Sequence, residues 1–177
     1  MSNAQDKTDA ISLLTADHRK VRRLFQEFEE LEDEEGQDDL KSELVEQICF
    51  ELSVHAMIEE EIFYPAVRGA IDDDELMDEA RAEHAQVKEL IGELEEMTPD
   101  DGQFDATVME LSEQVEHHVS EEESTMFAKA AKAGLDLEAL GLQIKQRKEA
   151  MEEDFTNAPG SEAARGGSDA GHKGANP

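Results

Sequence analysis

The stretch VEHHVSEEES, residues 115–124, holds two overlapping histidine–glutamate pairs at a spacing of four, His117 with Glu121 and His118 with Glu122. On a helix either pair shares a face, so the spacing alone does not choose between them. Their neighbours do. Steps of three and four from His118 meet Val108, Leu111 and Val115 on one side and Glu122 and Met126 on the other. The same steps from His117 meet Glu110, Gln114 and Ser124. The His118–Glu122 pair therefore lies on an apolar seam, and His117 and Glu121 lie on the wetter face beside it.

Walking outward with the same period gives three more seams: Ile11, Leu14, His18, Val21, Phe25, Phe28; Leu44, Ile48, Leu52, His55, Glu59, Ile62; and Met77, Ala80, His84, Val87, Ile91, Leu94. No stretch sustains the alternation of a strand, so the chain reads as all-α. Helices are expected over about residues 8–33, 38–70, 71–97 and 105–133, with Pro65 as a kink or stop and Gly134 as a terminator. Four helices with short connections predict an antiparallel up-and-down four-helix bundle. The segment DLEALGLQIKQRKEAM, with Leu137, Leu140, Ile144 and Met151 on one side, predicts a short additional C-terminal helix packed across the bundle. One domain is expected over residues 1–155, followed by a disordered Gly/Ala-rich tail over 156–177, where His172 stands isolated.

Each seam is interrupted near its middle by a histidine, and two are interrupted also by a glutamate. In an antiparallel bundle these groups fall at similar depth and face one volume. A buried carboxylate costs several kcal/mol unless something compensates it. None of the seams contains Lys or Arg, so a metal cation is the economical answer. Histidine with carboxylate suits iron or manganese. The single cysteine, Cys49, offers no thiolate cluster and reads as an inert packed thiol. Two ions roughly 3.5 Å apart and sharing two glutamates would use four histidines and two carboxylates efficiently.

Composition excludes other classes. With 46 acidic against 16 basic residues the net charge is −30, which repels nucleic-acid phosphates and anionic membrane surfaces. No run approaches the ~18 apolar residues of a membrane span, and the N-terminus MSNAQDKTDA has no leader-like character, so a soluble cytoplasmic protein is expected.

The motifs TADHRKV, HAMIEEEIFYP, AEHAQV and HHVSEEESTMF, in that order over about residues 10–133, resemble the hemerythrin family and its HHE cation-binding domains. The resemblance implies a non-haem di-iron centre whose ligands are His18, His55, Glu59, His84, His118 and Glu122, with the two glutamates bridging. It also implies a binding protein for oxygen or a related small ligand, nitric oxide or peroxide, serving sensing, storage or detoxification. Oxygen-carrying hemerythrins have a second histidine one turn along the third helix, where this chain has Ala80 and Lys88. One position is thereby left to water, an exogenous ligand or Glu83, which keeps an iron-dependent peroxidase or oxidase as the alternative. A metal-free acidic helical interaction module is the third reading. Phe63, Tyr64 and Phe127 read as core or site-wall packing, with a hydrogen-bonding role at the site as the alternative for Tyr64, and Glu60, Glu61, Glu121 and Glu123 as solvated faces. The sequence leaves the oligomeric state open, monomer included.

Overall fold

The computed structural model describes residues 8–31 and 36–157, with side chains to 154. The tail expected from residue 156 lies almost wholly outside them. Among the described residues there is no strand. The order is α1 (Ala10–Leu31), α2 (Asp38–Ile58), α3 (Tyr64–Ala70), α4 (Asp74–Glu95), α5 (Phe104–Glu121), α6 (Phe127–Lys132) and α7 (Leu137–Asn157). Two π-helical turns, Glu59–Phe63 and Glu122–Met126, join α2 to α3 and α5 to α6 without breaking the rod. The four rods of the expected bundle are thus α1, α2–α3, α4 and α5–α6. None of these helices is long and apolar enough to cross a membrane.

The helix ends follow local chemistry. Asp73 caps α4 by accepting a hydrogen bond from the Leu76 amide at 3.1 Å. Gly134 closes α6 at φ 74°, a left-handed conformation that glycine adopts without strain. Pro65 does not stop its helix as the sequence reading expected. It stands at the start of α3, where the missing N–H costs little because the preceding π turn has already reset the hydrogen-bond register.

Two apolar clusters fill the bundle. Val21, Phe25, Phe28, Ile48, Leu52, Ile91, Val108 and Leu111 belong to one, and Leu14, Ile58, Phe63, Val67, Met77, Met126, Phe127 and Ile144 to the other. Between them lies a polar layer of buried histidines and glutamates. Cys49 packs in the first cluster, and burial pushes its thiol up to about 11, as an inert thiol requires.

Helix α7 lies against α1 and α2 and seals one side of the bundle, with Ile144 fully buried. At Gly141 the two backbones approach closely: an added Cβ would run into the backbone carbonyl oxygen of Thr8 and stand 2.9 Å from the backbone carbons of Asp9. Gly141→Ala raises helix propensity yet is expected to destabilise the protein by about 1–3 kcal/mol, because backbone must move to admit the methyl group. A melting temperature lower by about 5 °C checks this. An unchanged or higher value would show that α7 docks more loosely.

Candidate metal centre

The structure brings all six sequence-selected residues into the polar layer. Glu59, Glu122, His18, His84, His118 and His55 range from 0 to 6 % exposed. The histidines pair by their Nε2 atoms, His18 with His55 at 3.1 Å and His84 with His118 at 3.0 Å. Glu59 spans the two pairs, its Oε1 3.2 Å from His55 Nε2 and its Oε2 3.2 Å from His84 Nε2. Glu122 Oε2 stands 3.4 Å from His18 Nε2 and 3.6 Å from His118 Nε2. Donor atoms therefore converge in two groups, His18–His55–Glu59–Glu122 and Glu59–His84–His118, with Glu59 common to both. Glu59 Oε1 and Glu122 Oε2 are buried without a hydrogen-bond partner. Orphaned buried carboxylate oxygens are costly, and a cation between the pairs satisfies them. The donor set fits a metal of the imidazole–carboxylate class.

Each histidine presents Nε2 inward because a carboxylate holds its Nδ1. Asp17 bonds His55 at 3.3 Å, Glu60 bonds His84 at 2.9 Å, Glu83 bonds His118 at 2.7 Å and Glu123 bonds His18 at 2.9 Å. The contacts follow a rule. The acid before each lone histidine, in Asp17-His18 and Glu83-His84, reaches the histidine of the next helix. The acid after each inner glutamate, Glu60 or Glu123, reaches the lone histidine of the helix beyond. The result is a closed ring α1 to α2 to α4 to α5 and back to α1, which fixes tautomer and ring orientation at every member.

Behind the ring stand further charges. Lys148 of α7 pairs with Asp17, Lys88 bonds Glu60 at 2.7 Å, and Arg22 lies 3.5 Å from Glu123. His117 Nε2 lies 3.3 Å from Glu83. Glu60 and Glu123 are thus not the solvated faces the sequence reading made of them. Glu61 and Glu121 are nearer to it, the first paired with Arg147 on the surface, the second 39 % exposed.

The π turns explain two further side chains at the site. In each, the amide of the fifth residue after a glutamate bonds back to that glutamate's carbonyl, Tyr64 to Glu59 and Phe127 to Glu122. The added residue rotates Tyr64 and Phe127 under those glutamates, a common use of such turns at functional sites. The Tyr64 hydroxyl donates to Glu122 Oε1 at 2.8 Å and lies 3.1 Å from His84 Nε2 and 3.5 Å from His118 Nε2. It is fully buried, and its hydroxyl takes the hydrogen-bonding role at the site that the sequence left as the alternative to packing. Phe127 stacks on His18 with ring centroids 5.8 Å apart. Glu83, considered from the sequence for the position that lacks a histidine, instead holds His118 from outside.

Electrostatics match the geometry. Burial presses His55 and His118 toward neutrality, but the Glu59 carboxylate, with Asp17 at His55 and Glu83 at His118, carries both up to about 10. Burial opposes the Glu59 charge, yet His55, His118 and His84 hold its carboxyl well below the usual range. Burial and the flanking Glu59 and Glu122 push the Tyr64 phenol well above its ordinary value. Between the two histidine pairs opens a cavity of about 20 Å³, lined by the four histidines, Asp17, Val21, Leu52, Ala56, Val87, Val115 and Val119. It has room for one very small molecule. Its walls beyond the histidines are mostly apolar, while Tyr64, Glu59 and Glu122 are absent from its lining.

Comparison with known proteins agrees with this arrangement. The chain is 34% identical over 133 residues to a DNA nickase of Nostoc sp., covering 72% of this chain and 36% of that protein. It is 28% identical over 109 residues to an uncharacterised hemerythrin-like protein of Schizosaccharomyces pombe, covering 60% of this chain and 52% of the other. This chain thus spans between a third and about half of the length of these curated relatives. The crystal structure of a hemerythrin HHE cation-binding domain-containing protein from Mycobacterium kansasii superposes with a TM-score of 0.72 at 23% identity, over 88% of this chain and 96% of that one, and so shares the fold. The family model of the hemerythrin HHE cation-binding domain matches residues 9–130. With that match over most of the chain, and histidine–glutamate groups arranged to take a cation, the protein is a metal-binding member of the hemerythrin HHE cation-binding domain family.

Proposed function

We propose that the protein is a cytoplasmic, non-haem di-iron protein that binds oxygen or a related small ligand, nitric oxide or peroxide, for sensing, storage or detoxification. The observation that carries this reading is Glu59, whose two oxygens address the two histidine pairs separately, as a carboxylate bridging two ions does. His18 and His55 would hold one ion and His84 and His118 the other, with Glu59 and Glu122 shared. Manganese is the alternative occupant. Bound iron would supply redox chemistry and an open coordination position. The chain's residues supply the rest. The small, mostly apolar cavity would suit a very small ligand, and the carboxylate ring keeps each Nε2 aimed inward.

Anaerobic reduction followed by exposure to air, watched by optical spectroscopy, tests the ligand. A spectrum that reverses on removing oxygen supports carriage or storage. Fast irreversible oxidation supports sensing or turnover.

The second reading is an iron-dependent peroxidase or oxidase, favoured by the buried Tyr64 hydroxyl, which donates to Glu122 Oε1 and lies 3.1 Å from His84 Nε2. It would act as a hydrogen-bond donor beside the metal. Peroxide consumption that requires iron and falls at least tenfold in Tyr64→Phe supports this reading. Against the metal-free interaction module stand four buried histidines and two buried glutamates whose donor atoms converge in two groups with Glu59 common to both. The nickase named among the relatives is matched over about a third of its length, and the net charge of −30 here runs against phosphate binding, so we propose no nucleic-acid role.

The opening ambiguity has its own test. His118→Ala should strongly reduce bound metal, whereas His117→Ala, at a residue 62 % exposed, should leave the buried centre loaded. Elemental analysis of the two variants decides it, and equal losses would contradict the assignment.

A further inference from the structure

Outside the buried centre a second group of donors converges at the surface: Glu83 from α4 with His117 and Glu121 from α5. We propose that these three residues form an outer site for a divalent transition-metal cation, sharing Glu83 with the buried histidine layer.

The geometry is that of ligands around a common point. His117 Nε2 lies 3.3 Å from Glu83 Oε1 and 3.9 Å from Glu121 Oε1, and all three donor atoms fall within 4.8 Å of one another. Donors at about 2.1 Å from one ion stand about 3.0–3.4 Å apart in octahedral or tetrahedral arrangement, so only a small closure of Glu121 is needed. The i,i+4 spacing of His117 and Glu121 puts both on one helix face, and Glu83 supplies the third donor across the helix pair.

The carboxylate ring gives a separate reason to expect a cation here. Lys148, Lys88 and Arg22 stand behind Asp17, Glu60 and Glu123 respectively. Glu83 is the remaining member, and behind it stand a histidine and a second carboxylate instead of Lys or Arg. A bound divalent ion restores the pattern. Glu83 is 12 % exposed, and its Oε2 is already engaged by His118 Nδ1 at 2.7 Å, which leaves Oε1 aimed outward at His117. The cation would therefore be joined through one carboxylate to a histidine of the buried centre. Imidazole with two carboxylates suits zinc, cobalt, manganese or ferrous iron, and the charge of −30 raises the local concentration of any of them.

The test is zinc uptake by full-length protein whose buried metal has first been counted, comparing wild type with His117→Ala and Glu121→Gln by equilibrium dialysis. Both changes are at exposed positions and should not disturb folding. Wild type is expected to bind one more zinc ion per chain than His117→Ala, and Glu121→Gln to bind it at least tenfold more weakly, with the buried metal content equal in all three. Equal zinc uptake by wild type and His117→Ala would overturn the proposal. So would loss of the buried metal in His117→Ala, since that would make His117 a support of the centre itself. Zinc uptake reads the outer site whatever occupies the buried one, so its failure leaves the di-iron reading standing.

Discussion

Changing Glu59 and Glu122 together to glutamine is expected to lower bound metal from about two ions per chain to well below one. The substitution keeps side-chain shape while removing the two charges that compensate the cations. The same variant should also lose its response to chelators. A ligand present at a thousand times its dissociation constant stabilises the folded state by about 4 kcal/mol. For a domain of this size that is about 10 °C in melting temperature. Wild type stripped by a chelator should therefore melt about 10 °C lower than loaded wild type, and the double variant, made in a His117→Ala background that lacks the outer site, should melt at one temperature with or without chelator. A double variant that keeps its metal would remove both glutamates from the bridging role.

The second large effect is on pH. In chelator-treated protein His55 and His118 are held as cations beside Glu59, with values near 10. Each must lose its proton before Nε2 can bind a metal. Loading at neutral pH should therefore release at least two protons per chain, and the overall constant for loading both positions should rise about a hundredfold per pH unit between about pH 6.5 and 9. The metal-free fold responds in the opposite direction. Both values are raised above the ordinary 6.5, so their contribution to stability is complete below pH 6.5 and lost as pH climbs through about 10. Proton release followed calorimetrically in buffers of different ionisation enthalpy checks the first part, and thermal melts of metal-free protein from pH 6 to 10 check the second. A loading constant indifferent to pH would mean that these histidines are not the ligands.

Much of the centre was legible because burying a charge is expensive. A histidine or glutamate that interrupts an apolar three-four row has to be explained, and His18, His55, Glu59, His84, His118 and Glu122 were found by that reasoning alone. For Tyr64 the same periodicity leaves packing and a hydrogen-bonding role at the site as alternatives. Steps of three and four from Glu59 select Ile62 and Phe63, whereas the π turn adds a residue and brings Tyr64 inward as well. Nothing in a 3.6-residue pattern announces such a turn. Pro65, where a kink or a stop is expected, stands at the start of α3, after a π turn that has already reset the hydrogen-bond register.

The ring of carboxylates has a sequence signature. Asp17 and Glu83 each precede a seam histidine, and Glu60 and Glu123 each follow a seam glutamate. One step off a seam is the place from which a short side chain reaches the neighbouring helix at the same depth. In a chain this acidic those four residues look like part of a solvated surface. Only the packed helices show that each meets an imidazole nitrogen. The supporting role of α7 was legible from its amphipathic pattern, but not that its Lys148 reaches Asp17 behind His55.

The proposed centre holds one metal ion at each histidine pair, His18–His55 and His84–His118, with Glu59 and Glu122 shared. Elemental analysis of full-length protein produced with ample iron decides whether it does. About two iron ions per chain, or manganese in their place, are expected at the buried centre. A folded protein holding far less than two metal ions per chain under those conditions would contradict it.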